Sequence, residues 1–151
     1  MIATEPLPLN HSWPLWMASR FDLGRIIESA AGTDAAPPLE TIDAGAWSCD
    51  LSDQQLTWSA PVKRLFGFTP EDAAPNRERV LRRYDEASRA AIERLRAYAI
   101  QHRRGFLLDA ALRPVDGYRR WVRLVAIPVC EGPSVVRLAG YKADVSHLYR
   151  G

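Results

Sequence analysis

The sequence predicts an α+β fold: a five-stranded antiparallel sheet with helices between its second and third strands, and an amphipathic helix ahead of it. Three observations carry this. Apolar spacing between residues 45 and 149 runs strand-like, then helical, then strand-like again. Turn sequences at residues 114–117 and 131–134 divide the last part into two hairpins in series. Residues 85–100, in the middle, form the best-marked helix in the chain.

Residues 1–11 hold Pro6 and Pro8 and no periodicity, as a loose terminus would. Ser12 is placed to cap a helix whose first turn tolerates Pro14. Apolar residues then recur at helical spacing through Trp16, Leu23, Ile26 and Ile27, with Gly24 as a break, so residues 13–31 read as one broken helix or two short ones. Residues 33–38 are a linker by composition, which divides the chain into an N-terminal part, 1–41, and a domain, 42–149.

Around Trp47 and again over residues 55–58 the alternation is that of short strands, with turn chemistry at Ser52, Asp53 and Gln54. Ser59 is the cap of a helix reaching Leu65, with Pro61 in its first turn and Gly67 past its end. Thr69 and Pro70 suggest a further brief helical start. Asp85 caps the long helix, whose apolar face carries Ile92 and Leu95 and whose C-terminal end has His102, Arg103 and Arg104 before Gly105 closes it. Three strands follow. In the first, Phe106, Leu108, Ala110 and Leu112 share one face. In the second, both faces are apolar: Trp121, Val125 and Ile127 on one, Val122, Leu124 and Ala126 on the other. Helices in the middle of the chain can cover only one face of such a sheet, so the other requires the N-terminal helix, a partner or a twin.

Size fits one domain plus a tail at 151 residues. No apolar run approaches the roughly 18 residues that cross a bilayer, and the N-terminus lacks the basic and apolar regions of a secretory signal, which makes the cytoplasm the expected compartment and a membrane partner unexpected. Charge is uneven. Residues 1–76 carry 4 basic and 10 acidic side chains, net −6, and residues 77–151 carry 16 and 8, net +8. Acidic residues are interspersed among the arginines of the second half and aromatics do not alternate with them, so a solvated surface is expected there rather than a nucleic-acid interface. Cys49 and Cys130 are too far apart in sequence for a metal pair, and no metal cluster, phosphate-cradling glycine loop or nucleophile elbow occurs.

The order of these pieces resembles a PAS domain, and within that fold the subgroup opening Gly-x-Trp. Gly45, Ala46 and Trp47 stand at the opening, followed by Asp50. Leu65, Phe66 and Gly67 match the Leu-Phe-Gly triplet after a Ser-led helix. Asp116 and Gly117 match the hairpin turn, and Trp121 the aromatic start of the next strand. Gly140, with Asp144, Val145 and Ser146, stands where the family closes with its signal-transmitting element. The match spans roughly residues 42–149 and departs at Arg83 and Tyr84, where the family has His-Pro before its two acidic residues.

The resemblance implies a sensory or regulatory module, of the kind common in bacterial two-component signalling, and not an enzyme. It acts through a homodimer or an effector protein, with a small apolar ligand as an option. A ligand would lie between the sheet's inner face and the middle helices, which nominates Trp47, Trp58, Leu65, Phe66, Phe68, Ile92, Leu95, Phe106, Leu108 and Trp121. The simpler account is that these only fill the core. Dimer or partner candidates are Trp16, Leu23, Ile26, Ile27, Val125 and Ile127, and the signal would leave through Asp144, Val145 and Ser146. No cofactor is expected. Of the histidines only His102, on a helix, could serve as a haem ligand. Neither Cys49 nor Cys130 has the Asn-Cys-Arg-Phe-Leu setting of the photoreactive flavin domains. The chain would be either a single-domain regulator or a piece of a larger sensor kinase or cyclase. The competing class is a small α+β ligand-binding protein or enzyme, which a buried, functionally shifted carboxylate at Asp109 would favour.

Overall fold

The computed structural model describes residues 10–14, 44–69, 71–72, 76–115 and 117–149. Its sheet has six strands, one more than expected: β1 (Asn10–Pro14), β2 (Ala44–Asp50), β3 (Leu56–Trp58), β4 (Arg104–Leu112), β5 (Arg120–Glu131) and β6 (Ser134–Asp144). They lie in the order β1-β4-β5-β6-β2-β3, each pairing antiparallel. Three helices, α1 (Ala60–Leu65), α2 (Arg77–Leu81) and α3 (Glu86–His102), come between β3 and β4, and a short 3-10 turn (Ser146–Leu148) ends the fold. No helix among the described residues is long and apolar enough to cross a membrane.

The sixth strand corrects the reading of the N-terminal segment. Ser12, Trp13 and Pro14 are extended and pair with Phe106, Gly105 and Arg104, where a helix start is expected from spacing. Tertiary contact overrides local preference here. Trp13 is fully buried against Leu107 and Val125, and its indole lies over Gly105 so closely that a Cβ there would sit 2.2 Å from the ring. Pro14, which lacks an N–H, is tolerated because β1 is an edge strand. The remainder of the expected helix, including Trp16, Leu23, Ile26 and Ile27, lies outside the described residues.

Gly105 also moves the end of the long helix. It belongs to β4, and the left-handed turn after α3 is made by Arg103 at φ 53°. Asp85 does precede α3, but its carboxylate caps nothing and pairs with Arg119 at 3.0 Å. Ser59 likewise stands at the start of α1 without bonding a helix N–H, its hydroxyl packing over Gly45. The short α2 has no counterpart in the sequence reading. Five residues are too few to show a period, and Asn76 supplies its start by accepting from the Arg79 N–H at 2.9 Å.

Strand alternation sorts the sheet into two faces as the spacing requires. Phe106, Leu108, Ala110 and Leu112 of β4, with Val122, Leu124 and Ala126 of β5, join the helices in one core. Leu107 and Val125 face outward under Trp13, with Ile127 and Tyr141 at the rim. Between β5 and β6 the backbones come unusually close. A Cβ on Gly140 would lie 1.8 Å from the Val125 carbonyl oxygen, and that oxygen accepts from Trp47 Nε1 at 3.2 Å.

Gly140→Ala therefore drives a methyl group into main chain that cannot yield, and is expected to cost about 3 kcal/mol or more. Gly132→Ala, at φ +59° with open space around it, should cost only about 1 kcal/mol. Equal losses for the two in urea denaturation would contradict the close approach.

Candidate functional site

The space between the inner face and the helices is not completely filled. A cavity of about 60 Å³ lies there. Leu56, Val80, Ile92, Phe106, Leu124 and Leu138 make its apolar walls, and Trp47, Cys49, Tyr84, Lys142, Arg77 and Arg96 bring polar atoms to it.

Lys142 sets the chemistry. Leu138, Gly140 and Lys142 alternate along β6, so the pleat turns Lys142 inward with the core residues. It is 5% exposed. Its Nζ lies 4.6 Å from the centre of the Phe66 ring and 5.5 to 5.6 Å from those of Trp58, Trp47 and Tyr84, and donates to the Tyr84 hydroxyl at 3.2 Å. Four aromatic faces and one hydroxyl replace only part of the hydration of an ammonium. Burial accordingly pushes its pKa down to about 7, with Cys49 acting weakly the other way.

The residue type matters. Lys142 is one of two lysines, with Lys63, in a chain that has 18 arginines. A guanidinium cannot shed its charge in a protein, whereas a buried amine can. The other polar groups of the cavity are shifted by the same cause. Burial raises the Cys49 thiol and the Tyr84 hydroxyl, and burial together with Arg96 lowers Arg77. Arg77 pairs with Glu93, and Arg96 donates to Gln54 at 2.7 Å.

Of the residues nominated from the sequence, Trp47, Ile92 and Phe106 line the cavity. Trp58, Leu65, Phe66, Leu95 and Leu108 belong to the surrounding core, and Phe68 packs half-buried at its margin. Trp121 is elsewhere: it faces outward and stacks on Tyr149 at 4.3 Å. His102 is exposed at the end of α3 against Tyr98, away from the cavity, which removes the geometry a haem ligand needs. Lys142, Tyr84, Arg77 and Arg96 went unnominated. The available signal was a lysine in register with inward apolar residues.

The outer face carries a second polar cluster. Asp109, 2% exposed, receives Arg123 Nε at 2.8 Å and Nη2 at 2.9 Å, and the Tyr149 hydroxyl as well. A carboxylate so fully paired, on the far side of the sheet from the cavity, is a structural anchor and not the reactive acid that the enzyme reading requires. Around it the last residues fold back. Val145 N–H donates to Trp121 O at 2.8 Å, Trp121 N–H to Ser146 Oγ at 2.9 Å, and Ser146 N–H to Asp144 Oδ1 at 2.8 Å. The three residues nominated as the signal exit thus form a latch over the start of β5.

No family model and no curated protein matches the sequence. Solved structures do. An RNA-binding light-oxygen-voltage receptor matches with TM-score 0.64 and 17% identity over 72% of this chain and 31% of its own, so this chain spans less than a third of that protein. A sensory box histidine kinase/response regulator from Burkholderia thailandensis E264 matches with TM-score 0.62 and 16% identity over 72% of this chain and 82% of its own. The N-terminal domain of a diguanylate cyclase with a PAS/PAC sensor from Marinobacter aquaeolei matches with TM-score 0.62 and 18% identity over 69% and 96%. The chain has the PAS fold.

The lowered pKa of Lys142 has a consequence for stability. Between about 7 and its unfolded value near 10.4 the unfolded chain binds the proton and the folded chain does not, so stability rises with pH. Cys49 works oppositely above about 9, because its folded thiol keeps a proton that the unfolded thiol has lost. Urea denaturation should show stability climbing from about pH 7 to about 9, with a slope approaching 1.4 kcal/mol per unit. Lys142→Met should flatten that climb. Parallel pH curves for the two proteins would contradict the assignment.

Proposed function

We propose that the chain is a sensory or regulatory module that responds to a small ligand under its sheet and passes the change to a protein partner, either a second copy or an effector. One observation carries this reading. The same strand serves both ends, since Lys142 of β6 lines the cavity and Asp144, two residues further on, begins the latch. A ligand that draws on Lys142 pulls on the backbone that holds the latch in register.

The outer face is the natural surface for output. Ile127 and Tyr141 are the half-buried rim of its apolar cluster, and Leu148 on the terminal turn is 49% exposed. Sensory neighbours of the same fold that belong to a histidine kinase and a diguanylate cyclase support signalling as the class of function. Cytoplasmic action fits the same reading.

Two measurements test it. Lys142→Met, which alters the inner face only, should change amide exchange at Val145, Leu148 and Tyr149 by severalfold through β6. Unchanged exchange there would contradict the coupling. Light scattering at tens of micromolar should give the mass of a homodimer, and a monomeric mass would contradict self-association as the output.

A further inference from the structure

The cavity is basic where it is polar. Lys142, Arg77 and Arg96 come to it from β6, α2 and α3, and the remaining wall is mostly hydrocarbon. On β2 the facing groups are Trp47 and Cys49, on β3 Trp58, just past α1 Phe66, and after α2 Tyr84. Among the described residues no carboxylate lines the cavity, and Glu93 of α3 is engaged by Arg77. Empty, such a site is electrostatically poor at Lys142, whose amine is buried with the Tyr84 hydroxyl as its hydrogen-bond acceptor. A cation would worsen it and a neutral apolar molecule would leave it as it is. An anion supplies what is missing. Volume limits the anion's size: about 60 Å³ is roughly four to six times the about 10–15 Å³ that holds one water, room for a few non-hydrogen atoms.

Resting on the reading of this cavity as a ligand site, we infer that its ligand is a short-chain monocarboxylate, with the carboxylate held by Lys142 and the Arg77 and Arg96 guanidiniums, and the alkyl end against Phe106, Leu124 and Leu138. The hydrocarbon wall argues for an alkyl chain over inorganic phosphate, whose further oxygens would meet no donors on that side. Binding takes up a proton. An anion beside the amine favours its charged form, whereas burial alone leaves Lys142 near half-protonated at neutral pH. Affinity is therefore highest below about 7 and falls as the amine loses its proton, by up to about tenfold per pH unit. The Cys49 thiol and Tyr84 hydroxyl, both raised by burial, stay protonated through this range, and the arginines stay charged.

The test is calorimetry on the full chain with sodium acetate, propionate and butyrate, and with propionamide as the neutral isostere, in two buffers of different ionisation enthalpy. The expected results are proton uptake approaching one per carboxylate bound above pH about 8, and propionamide at least about tenfold weaker than propionate. Lys142→Met should lose both the affinity and its pH dependence while folding normally. Arg96→Gln should weaken binding but keep the pH dependence, and Lys63→Met should change neither. Propionamide binding as tightly as propionate, or Lys142→Met keeping pH-dependent affinity, would overturn the carboxylate while leaving the cavity a ligand site. Absence of binding by all four up to about 10 mM would overturn both the carboxylate and the small-ligand part of the proposed function.

Discussion

Lys142 enters the core because the pleat of β6 leaves it no other face. Leu138 and Gly140 precede it on the inner side, Tyr141, between Gly140 and Lys142, belongs to the outer cluster, and a one-residue slip would exchange the two sets. Once inside, the amine has to be accommodated. Trp47, Trp58, Phe66 and Tyr84, from four different parts of the chain, surround it. Trp58 stacks on Phe66 at 4.6 Å and Phe66 meets Tyr84 edge-on at 5.8 Å, so these rings hold one another as well as the amine. The inner core is thus organised around an amine whose charged form burial disfavours.

The sheet's other dependence is on close approach. Gly105 is bare so that Trp13 can cover the outer face, and Gly140 is bare so that the Val125 carbonyl can reach the indole of Trp47. Trp47 therefore ties β2 to β5 across β6, on the inner face, while Val125 presents its side chain to Trp13 on the outer one. Packing on the two faces is coupled through one residue. Beside it, Asp109 of β4 and Arg123 of β5 form a cluster with Tyr149 that fastens the C-terminal turn to those two strands. A disturbance at Lys142 has a short, stiff path to the C-terminal turn at residues 146–149.

Much of this was legible in the residues. Two hairpins, the long helix and the inward set on β4 follow from period and turn chemistry, and those signals are local. What escaped was decided at a distance. Trp13 and Pro14 read as a helix start because nothing nearby says that Gly105, some ninety residues on, will offer a groove for an indole. Five residues of α2 show no period, yet they bring Arg77 and Val80 to the cavity. Trp121, grouped with the core aromatics by type, has its alternation with Val125 and Ile127 to place it outside. Lys142 escaped because a lone charge in a strand is ordinarily solvated. Register with Leu138 and Gly140 was the evidence against that, and it becomes decisive only once the partner rings are in place.

The most direct test of the account is the ionisation of Lys142 itself. With only two lysines in the chain, ¹³C-lysine labelling yields two ε-methylene signals, and half-buried Lys63 serves as the internal reference. The signal removed by Lys142→Met should titrate with a midpoint of about 7. A midpoint for that signal near the ordinary lysine value of about 10.4 would show a hydrated Lys142 and contradict the account.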